Sequence, residues 1–175
     1  MNHFIISNNS FLREGLNECL KSLNTDHFWC CIDLNYCRSL TEIYSLLTTE
    51  VINSRYRVFF IGYNSIYNEL LTPLHPVRMN DSRYKIMHFF TENKGVTVDY
   101  AKEYISSLKA LDLLTLNEKK LCRLLAQIDI KEVAKLECLS IKTIYGMKYK
   151  LAKKLHINNQ MHFNLFLSKE INKIK

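Results

Sequence analysis

The stretch KEVAKLECLSIKTI, residues 131–144, decides the fold of the last third of this chain. Apolar residues recur at helical spacing in its first half, and Ser140 then stands where the N-cap of a further helix is expected. We expect Val133, Ala134 and Leu136 to face inward, and the small Ala134 allows two helices to cross closely. Two helices joined at a steep angle by a tight turn form a helix-turn-helix, which is the fold that this stretch predicts.

Helical patterns continue on both sides of this stretch. Leu114-Thr115-x-x-Glu118 places a capping threonine before a helix that carries Leu121, Leu124 and Leu125. The helices predicted after it, which follow a turn at Gln127–Ile130, are Lys131–Cys138, Ile141–Leu155 and Asn159–Ile174. The region is therefore expected to be an all-α domain of four helices.

Positive charge is concentrated in the same region. The chain has 175 residues and a formal net charge of +7. Residues 113–175 contain 13 Lys and Arg against 5 Asp and Glu, whereas residues 1–112 contain 11 against 12. A folded module with such an excess of cations attracts a polyanion, so the charge indicates nucleic acid or an acidic membrane surface as a partner.

The preceding part of the chain shows short apolar runs that alternate with amphipathic stretches. The predicted strands are His3–Ser7, His27–Ile32, Arg57–Ile61, Tyr84–Phe90 and Val96–Val98. The predicted helices are one capped by Asn9 or Ser10, one opened by the capping box Ser39-Leu40-Thr41-Glu42, Ile66–Leu71, and Tyr100–Leu111. This alternation predicts a doubly wound α/β domain with a parallel sheet. The change of period and charge then divides the chain into domains 1–110 and 111–175.

Nothing in the sequence predicts export or a membrane span. The first residues lack a basic flank and a small-residue cleavage site, and no apolar run approaches the roughly 18 residues that a membrane helix needs. We therefore expect a cytoplasmic protein with no membrane partner.

Six cysteines, at positions 19, 30, 31, 37, 122 and 138, raise the question of a metal site. His27-x2-Cys30-Cys31-x5-Cys37 allows a zinc cluster, but its spacing matches none of the usual ligand pairs. We favour small buried side chains in a reducing compartment, and expect neither metal nor cofactor.

The C-terminal region resembles the LuxR/FixJ (GerE-type) family of bacterial DNA-binding domains between Leu114 and Phe163. The resemblance rests on Leu114-Thr115-x-x-Glu118, Leu124-Leu125-Ala126, Lys131-Glu132-Val133-Ala134, Leu139-Ser140-x-Lys142-Thr143-Ile144 and Lys154-Leu155-x-Ile157. It has two departures from the family pattern. The turn after Ala126 is one residue shorter than usual, with Ile128-Asp129 where a glycine is common, and Met147 stands where a histidine is frequent.

In that family the third helix contacts DNA. The resemblance implies that base edges face Tyr145, Gly146 and Tyr149, and that phosphates face Ser140, Lys142, Thr143 and Lys148. Lys153, with Lys150 and Lys154, is expected to add to the positive field.

Spacing alone gives a related expectation for this helix. Lys142, Tyr145, Lys148 and Tyr149 are three or four residues apart and are predicted to share one face. Such a face combines cations for phosphates with phenols for bases. Gly146 costs about 1 kcal/mol in a helix interior relative to alanine, and a close approach of the backbone to DNA would explain it. The alternative interpretation is a solvated lysine-rich face.

The resemblance implies a sequence-specific regulator of bacterial transcription that binds double-stranded DNA and associates with the nucleoid when bound. The last helix carries Met161, Leu165, Phe166 and Ile171, which suit either a dimer contact or packing against the domain's own core. If this helix forms a dimer contact, the partner is a second copy of the chain or a LuxR-type response regulator. The alternative function is a protein-interaction adaptor that modulates another regulator or RNA polymerase without contacting DNA. We expect no enzymatic activity, since the sequence has only four glycines and no glycine-rich phosphate loop.

The N-terminal domain resembles a response-regulator receiver in the order and lengths of its elements. Receiver chemistry needs an acidic pair after the first strand to bind Mg²⁺ and an aspartate after the third strand to accept phosphate. Here those positions are Ser7-Asn8-Asn9 and Ile61-Gly62-Tyr63-Asn64. Thr91 suits the switch position after the fourth predicted strand, no lysine closes the fifth, and Glu92–Gly95 is too short for the usual fourth helix. We therefore predict a degenerate receiver without Mg²⁺ or aspartyl phosphate, controlled by a partner or by abundance.

Overall fold

The computed structural model describes residues 3–21, 28–63, 65–92, 95–110 and 113–171. The chain divides into two compact units, Met1–Ser106 and Ser107–Lys175. Over the described ranges, no helix combines the length and the apolar character needed to cross a bilayer.

The first unit alternates strands and helices. Its strands are β1 (His3–Ile6), β2 (Phe28–Asp33), β3 (Tyr56–Gly62), β4 (Val77–Arg78) and β5 (Val96–Thr97). Its helices are α1 (Ser10–Lys21), α2 (Leu40–Leu47), α3 (Ile66–Leu70), a single 3-10 turn (Thr72–Leu74), α4 (Arg83–Glu92) and α5 (Val98–Ala110), whose last turn falls in the second unit. The predicted α/β class is confirmed.

The sheet is mostly parallel and follows chain order. Strands β1 to β4 lie side by side as parallel neighbours, and β5 pairs antiparallel with β3. A receiver-type doubly wound sheet has the order 2-1-3-4-5, in which the winding reverses. Among the described strands β1 to β4 there is no such reversal, so this sheet departs from the receiver order.

A glycine allows β5 to pair closely with β3. Gly95 precedes β5 with a φ of +65°, and a Cβ added there would lie 3.0 Å from the Val58 carbonyl oxygen. Because other residues rarely adopt this conformation and lack the space, glycine is required at the entry to β5.

The core of this unit lies on both faces of β2 and β3. On one face Trp29 and Phe59 pack with residues of α1 and α4, and the Trp29 ring stacks on Phe90 at 5.9 Å between centroids. The alternate residues of the two strands, such as Cys30 and Phe60, are also fully buried. Burial on both faces explains the uninterrupted apolar run of β3.

The segment Tyr84–Phe90, predicted as a strand, belongs to helix α4. Its buried residues are Ile86 and Phe90, four apart, whereas Tyr84 is 76% exposed. Aromatic residues favour strands on average, but here packing of the i, i+4 pair on the sheet determines the structure. The strand expected in this region is instead the two-residue β4.

Two inferences about the fourth helix change with this correction. Thr91 lies inside α4, where its hydroxyl donates to the His88 carbonyl at 2.8 Å, and not after a strand. The fourth helix, for which the predicted segment Glu92–Gly95 is too short, lies earlier in the chain, at Arg83–Glu92.

Several predicted helix starts in this unit are confirmed. Leu12 N donates to Asn9 Oδ1 at 3.2 Å, and Glu42 N donates to Ser39 Oγ at 3.1 Å. The Glu42 carboxylate accepts from Arg38 N at 2.6 Å, one residue before the position that a capping box would use.

The second unit is all-α, as predicted. It contains α6 (Leu116–Gln127), α7 (Ile130–Leu136), α8 (Ile141–Lys154) and α9 (Gln160–Glu170). Its buried residues include Leu121, Cys122, Val133, Ala134, Ile144, Leu151, Leu155, Phe163 and Phe166. Helix α7 packs against α8, and α6 against α9.

One residue of α7 does not follow the predicted pattern. Leu136 is 64% exposed, although we expected it to face inward. The next residue, Glu137, is more enclosed, with its side chain 28% exposed and paired with Lys120 at 2.8 Å. Leu136 is the last residue of α7 and lies away from the side of the helix that carries the buried Val133 and Ala134.

Candidate nucleic-acid interface

Helix α8 is fixed at its N-terminus by the predicted cap. Ser140 Oγ accepts from Thr143 N at 3.0 Å, and the two hydroxyl oxygens lie 2.8 Å apart. Both side chains, expected to face phosphates, therefore also bond to each other at the exposed start of the helix.

Left-handed residues precede and follow α8. Cys138 has a φ of 53° and is followed by a bond from Leu139 N to the Ala134 carbonyl at 2.9 Å. His156 has a φ of 59° and is followed by the matching bond from Ile157 N to the Ala152 carbonyl at 2.8 Å. Both are Schellman-type helix ends, which satisfy carbonyls of the last turn and fix the direction of the chain.

The outer side of α8 carries an exposed row that we call the outer stripe: Lys142, Gly146, Tyr149 and Lys153. Residues at this spacing fall on one side of a helix that turns about 100° per residue. Tyr149 is 53% exposed, and the Lys153 ammonium lies 5.1 Å from the centre of its ring. Tyr145 is 56% exposed beside the stripe. The structure thus places these predicted site residues together on one open surface.

Gly146 forms an open notch in the outer stripe. A Cβ added there would meet no described atom within 4 Å. Packing inside the unit therefore does not require a glycine at this position, which leaves an external contact as a reason for it.

Lys148 is separated from the other predicted site residues. It is 9% exposed, because it lies four residues after the buried Ile144 and three before the buried Leu151. Desolvation by burial lowers the pKa of its ammonium. The predicted shared face is therefore wrong for Lys148, and the i, i+4, i+7 row of the core was the signal that could have shown this.

Two lysines of α7 received no role in the sequence analysis. Lys131 and Lys135 are exposed and, with Ser140 and Ile141, line a shallow concavity beside the start of α8. Their position in the first helix of the motif was the available signal. They place two further cations next to the outer stripe.

At the carboxyl edge of the first unit's sheet, Asp33 ends β2 and is only 6% exposed. Its Oδ2 accepts from Ser7 Oγ at 2.6 Å, and its Oδ1 accepts from Asn35 N at 2.9 Å. The receiver pattern draws attention to the ends of the first and third strands, so this carboxylate at the end of the second was not predicted. Asn64, at the predicted end of the third strand, lies outside the described residues.

Five of the six cysteines are buried, and Cys138 is exposed. Desolvation by burial raises the pKa of the Cys30 and Cys37 thiols to about 12. Within the described ranges, no three His, Cys, Asp or Glu residues lie close enough to bind a metal ion. His27 of the considered zinc cluster lies outside those ranges.

The chain thus folds into a mostly parallel α/β unit followed by a four-helix unit with a helix-turn-helix. Solved structures of RcsB from Salmonella enterica serovar Typhimurium have this fold. The complex with promoter P1flhDC gives a TM-score of 0.63 at 19% identity, over 97% of this chain and 98% of that one. The complex with promoter rprA gives a TM-score of 0.65 at 17% identity, again over 97% of this chain and 98% of that one. At these identities the likeness concerns the fold.

A further RcsB–DNA complex, whose protein is described as a two-component response regulator, gives a TM-score of 0.61 at 18% identity, over 97% of this chain and 98% of that one. Neither a family model nor a curated protein sequence matches this chain.

Proposed function

We propose that this protein is a bacterial transcriptional regulator without enzymatic activity, which binds double-stranded DNA by placing α8 in the major groove. The observation that carries the proposal is the outer stripe, where two lysines, a tyrosine and an open glycine lie on one exposed side of the second helix of the motif. The solved RcsB structures with the same fold are complexes with DNA, which supports it.

The charges around α8 support contact with phosphates. Lys154 and Lys120 are each paired with a glutamate at 2.7 and 2.8 Å. Lys142, Lys150 and Lys153 make no ion pair with any described residue, so their charges are available to an external polyanion. We assign phosphate contacts to these three lysines, with Ser140 and Thr143 at the helix start.

The tyrosines and the notch support contact with bases. Tyr145 and Tyr149 present hydroxyl groups and ring faces at the outer side of α8, and Gly146 lets the helix backbone approach closely. Base edges are distinguished in the major groove by such hydrogen bonds and apolar contacts. We assign sequence preference to these three residues.

We further propose that control does not require phosphorylation. The exit of β1 carries Ser7, Asn8 and Asn9, and both oxygens of the buried Asp33 are already hydrogen-bonded. Incubation with acetyl phosphate followed by mass spectrometry should show no added phosphate. A phosphorylated Asp33 peptide would contradict this.

We propose that the protein acts as a dimer, either with a second copy or with another LuxR-type regulator. Phe166 on α9 and Ile171 at its C-cap are buried within the unit, whereas Met161 is 67% and Leu165 39% exposed. The helix therefore packs on its own core through one side and leaves an i, i+4 apolar pair outside, which suits a partner helix.

DNA binding is tested with the full-length protein by fluorescence anisotropy on duplexes of different sequence over a series of salt concentrations. Lys142→Ala and Lys153→Ala should weaken binding to all duplexes alike and reduce the slope of affinity against salt by about one each. Lys85→Ala, at an exposed lysine on α4 of the first unit, is the matched control. Tyr145→Ala should instead change which duplex is preferred.

The alternative is an adaptor that contacts protein and not DNA. Exposed apolar residues at the α7–α8 turn favour it, namely Leu136 at 64%, Ile141 at 44% and Leu139 at 40%. If duplex binding is undetectable at low salt and Leu136→Ser abolishes co-purification with a regulator or polymerase, the adaptor replaces the DNA-binding proposal.

A further inference from the structure

A groove in the first unit runs between α1 and α4. Its volume is about 650 Å³, within the range of small-molecule sites. The residues of its apolar walls are Leu12, Leu16, Cys19, Met79 and Ile86. The groove is therefore large enough and apolar enough to bind a small organic molecule.

The position of the groove in the sheet also favours a ligand. Tyr63 and Met79, which line it, directly follow β3 and β4, and these strands are parallel neighbours. Ligands of open α/β sheets bind in crevices outside the carboxyl ends of the strands. The groove opens at such an edge.

The rim of the groove is aromatic and has one open position. Phe11 is 85% exposed and Tyr63 52% exposed. On α1, one turn after Phe11, a Cβ added to Gly15 would meet no described atom within 4 Å. A larger side chain at Gly15 would therefore enter the groove without disturbing the described core.

The charges at the groove favour an anionic ligand. The side chain of Arg83, the first residue of α4, lines the groove and makes no hydrogen bond or ion pair with any described residue, although its charge helps to lower the pKa of the Glu18 carboxyl. Glu18 on the opposite wall is paired with Lys21 at 2.8 Å. Because Lys21 is the main partner of Glu18, the Arg83 guanidinium can still bind an external group, and its planar fork matches a carboxylate.

We infer that this groove binds a small amphipathic carboxylate, with its apolar part between Leu16 and Ile86 and its carboxylate on Arg83. The site belongs to the first unit and its ligand is not DNA. A negative result for ligand binding would therefore leave the DNA-binding proposal standing, and a negative result for DNA binding would leave the ligand site standing.

The probes are octanoate and octanol, which share an apolar chain and differ in the head group. Trp29, the single tryptophan of the chain, packs in the same cluster as Leu16 and Ile86, so its fluorescence reports on the floor of the groove. Isothermal titration calorimetry of the full-length protein gives an independent affinity.

Octanoate is expected to bind saturably and more tightly than octanol. Gly15→Leu should abolish binding of both, whereas Glu14→Leu, which places the same leucine at the exposed neighbouring position, should not. Arg83→Gln should weaken octanoate about tenfold, as expected for one charge-assisted hydrogen bond, and leave octanol unchanged. Arg13→Gln, on the exposed side of α1, is the charge control.

Three results would overturn the inference. Equal binding of octanoate and octanol would indicate an apolar docking surface, such as one for a partner's side chains. Binding that survives Gly15→Leu in a variant with wild-type circular dichroism would place the ligand elsewhere. Absence of saturable octanoate binding by the wild-type protein would remove the site altogether.

Discussion

Lys154 Nζ lies 2.7 Å from Glu118 Oε2, and this ion pair joins the last turn of α8 to the first turn of α6. The same oxygen accepts from Thr115 N at 2.7 Å, which completes the predicted capping box. The hydrogen bond from Lys154, followed by that from Thr115, lowers the pKa of the Glu118 carboxyl. The Glu118 carboxylate therefore caps the start of α6 and also holds the end of α8, the helix proposed to contact DNA.

Glu118→Gln should lower the free energy of unfolding at pH 7 by about 1 kcal/mol or less, because the pair is partly exposed and screened by solvent. A lowered pKa in the folded state means that the ionised form stabilises the fold. The contribution should be complete above the ordinary pKa of 4.5 and should disappear as the pH falls through the folded value. Urea denaturation of both proteins at pH 7 and pH 3 measures the difference.

The control for this prediction is Glu132→Gln. Glu132 lies in the first turn of α7 and makes no ion pair with a described residue, so only a small helix-dipole effect should change. A difference between wild type and Glu118→Gln that is as large at pH 3 as at pH 7 would contradict the assigned role.

Lys148→Met should raise the free energy of unfolding at pH 7 by about 1 kcal/mol or less, because it removes an ammonium that burial desolvates. The lowered pKa means that, between the folded value and the ordinary 10.5, the unfolded chain binds more protons than the folded one. Stability of the wild type should therefore rise with pH in this window, and the variant should lack the rise. Denaturation between pH 7 and pH 10 tests both statements.

The same variant separates the two interpretations of Lys148 in DNA binding. Since the side chain is buried, Lys148→Met should leave duplex affinity close to wild type, whereas Lys150→Met, an equal change at an exposed position, should weaken it. Equal losses for the two variants would show that the Lys148 ammonium reaches a phosphate.

Cys138→Gly should raise the melting temperature of the second unit. At a φ of 53° a residue with a Cβ is strained, and glycine relieves about 1 kcal/mol of that strain. The greater entropy of glycine in the unfolded chain offsets part of this gain. Cys138→Ala is the matched control, because it removes the thiol and keeps the Cβ. If both variants melt at the same temperature, the strain at this turn is negligible.

Ser7→Ala should destabilise the first unit by about 1–3 kcal/mol, because it leaves the buried Asp33 carboxylate without its 2.6 Å donor. Ser54→Ala, at an exposed position, should have little effect. Hydrogen exchange of amides in β1 and β2 would locate the loss. Unchanged exchange in these strands would show that Ser7 and Asp33 do not stabilise each other.

Features set by neighbouring residues could be predicted from the sequence. The N-caps at Ser39, Thr115 and Ser140 depend on side chains that reach amides three residues ahead. The four helices of the second unit follow from such caps and from apolar spacing, so their order and their approximate ends could be predicted.

Features set by distant contacts could not be predicted. The helix α4 contains an aromatic-rich run that suits a strand, and only packing of Ile86 and Phe90 against the sheet decides for a helix. The strand order depends on which strand β1 joins, which no local pattern specifies. In the candidate interface, the row of Ile144, Lys148 and Leu151 places Lys148 on the core side of α8, but a lysine is rarely buried, so its burial was not predicted.

The exposed thiol at the turn before α8 gives the protein a native attachment point for a probe. Cys138 is the one exposed cysteine of six, and burial raises the pKa of the Cys30, Cys37 and Cys122 thiols to about 12, which keeps them protonated near neutral pH. A maleimide dye should therefore attach at Cys138 without any engineered mutation. Its emission would follow the arrival of a duplex or a protein partner at the helix-turn-helix in real time.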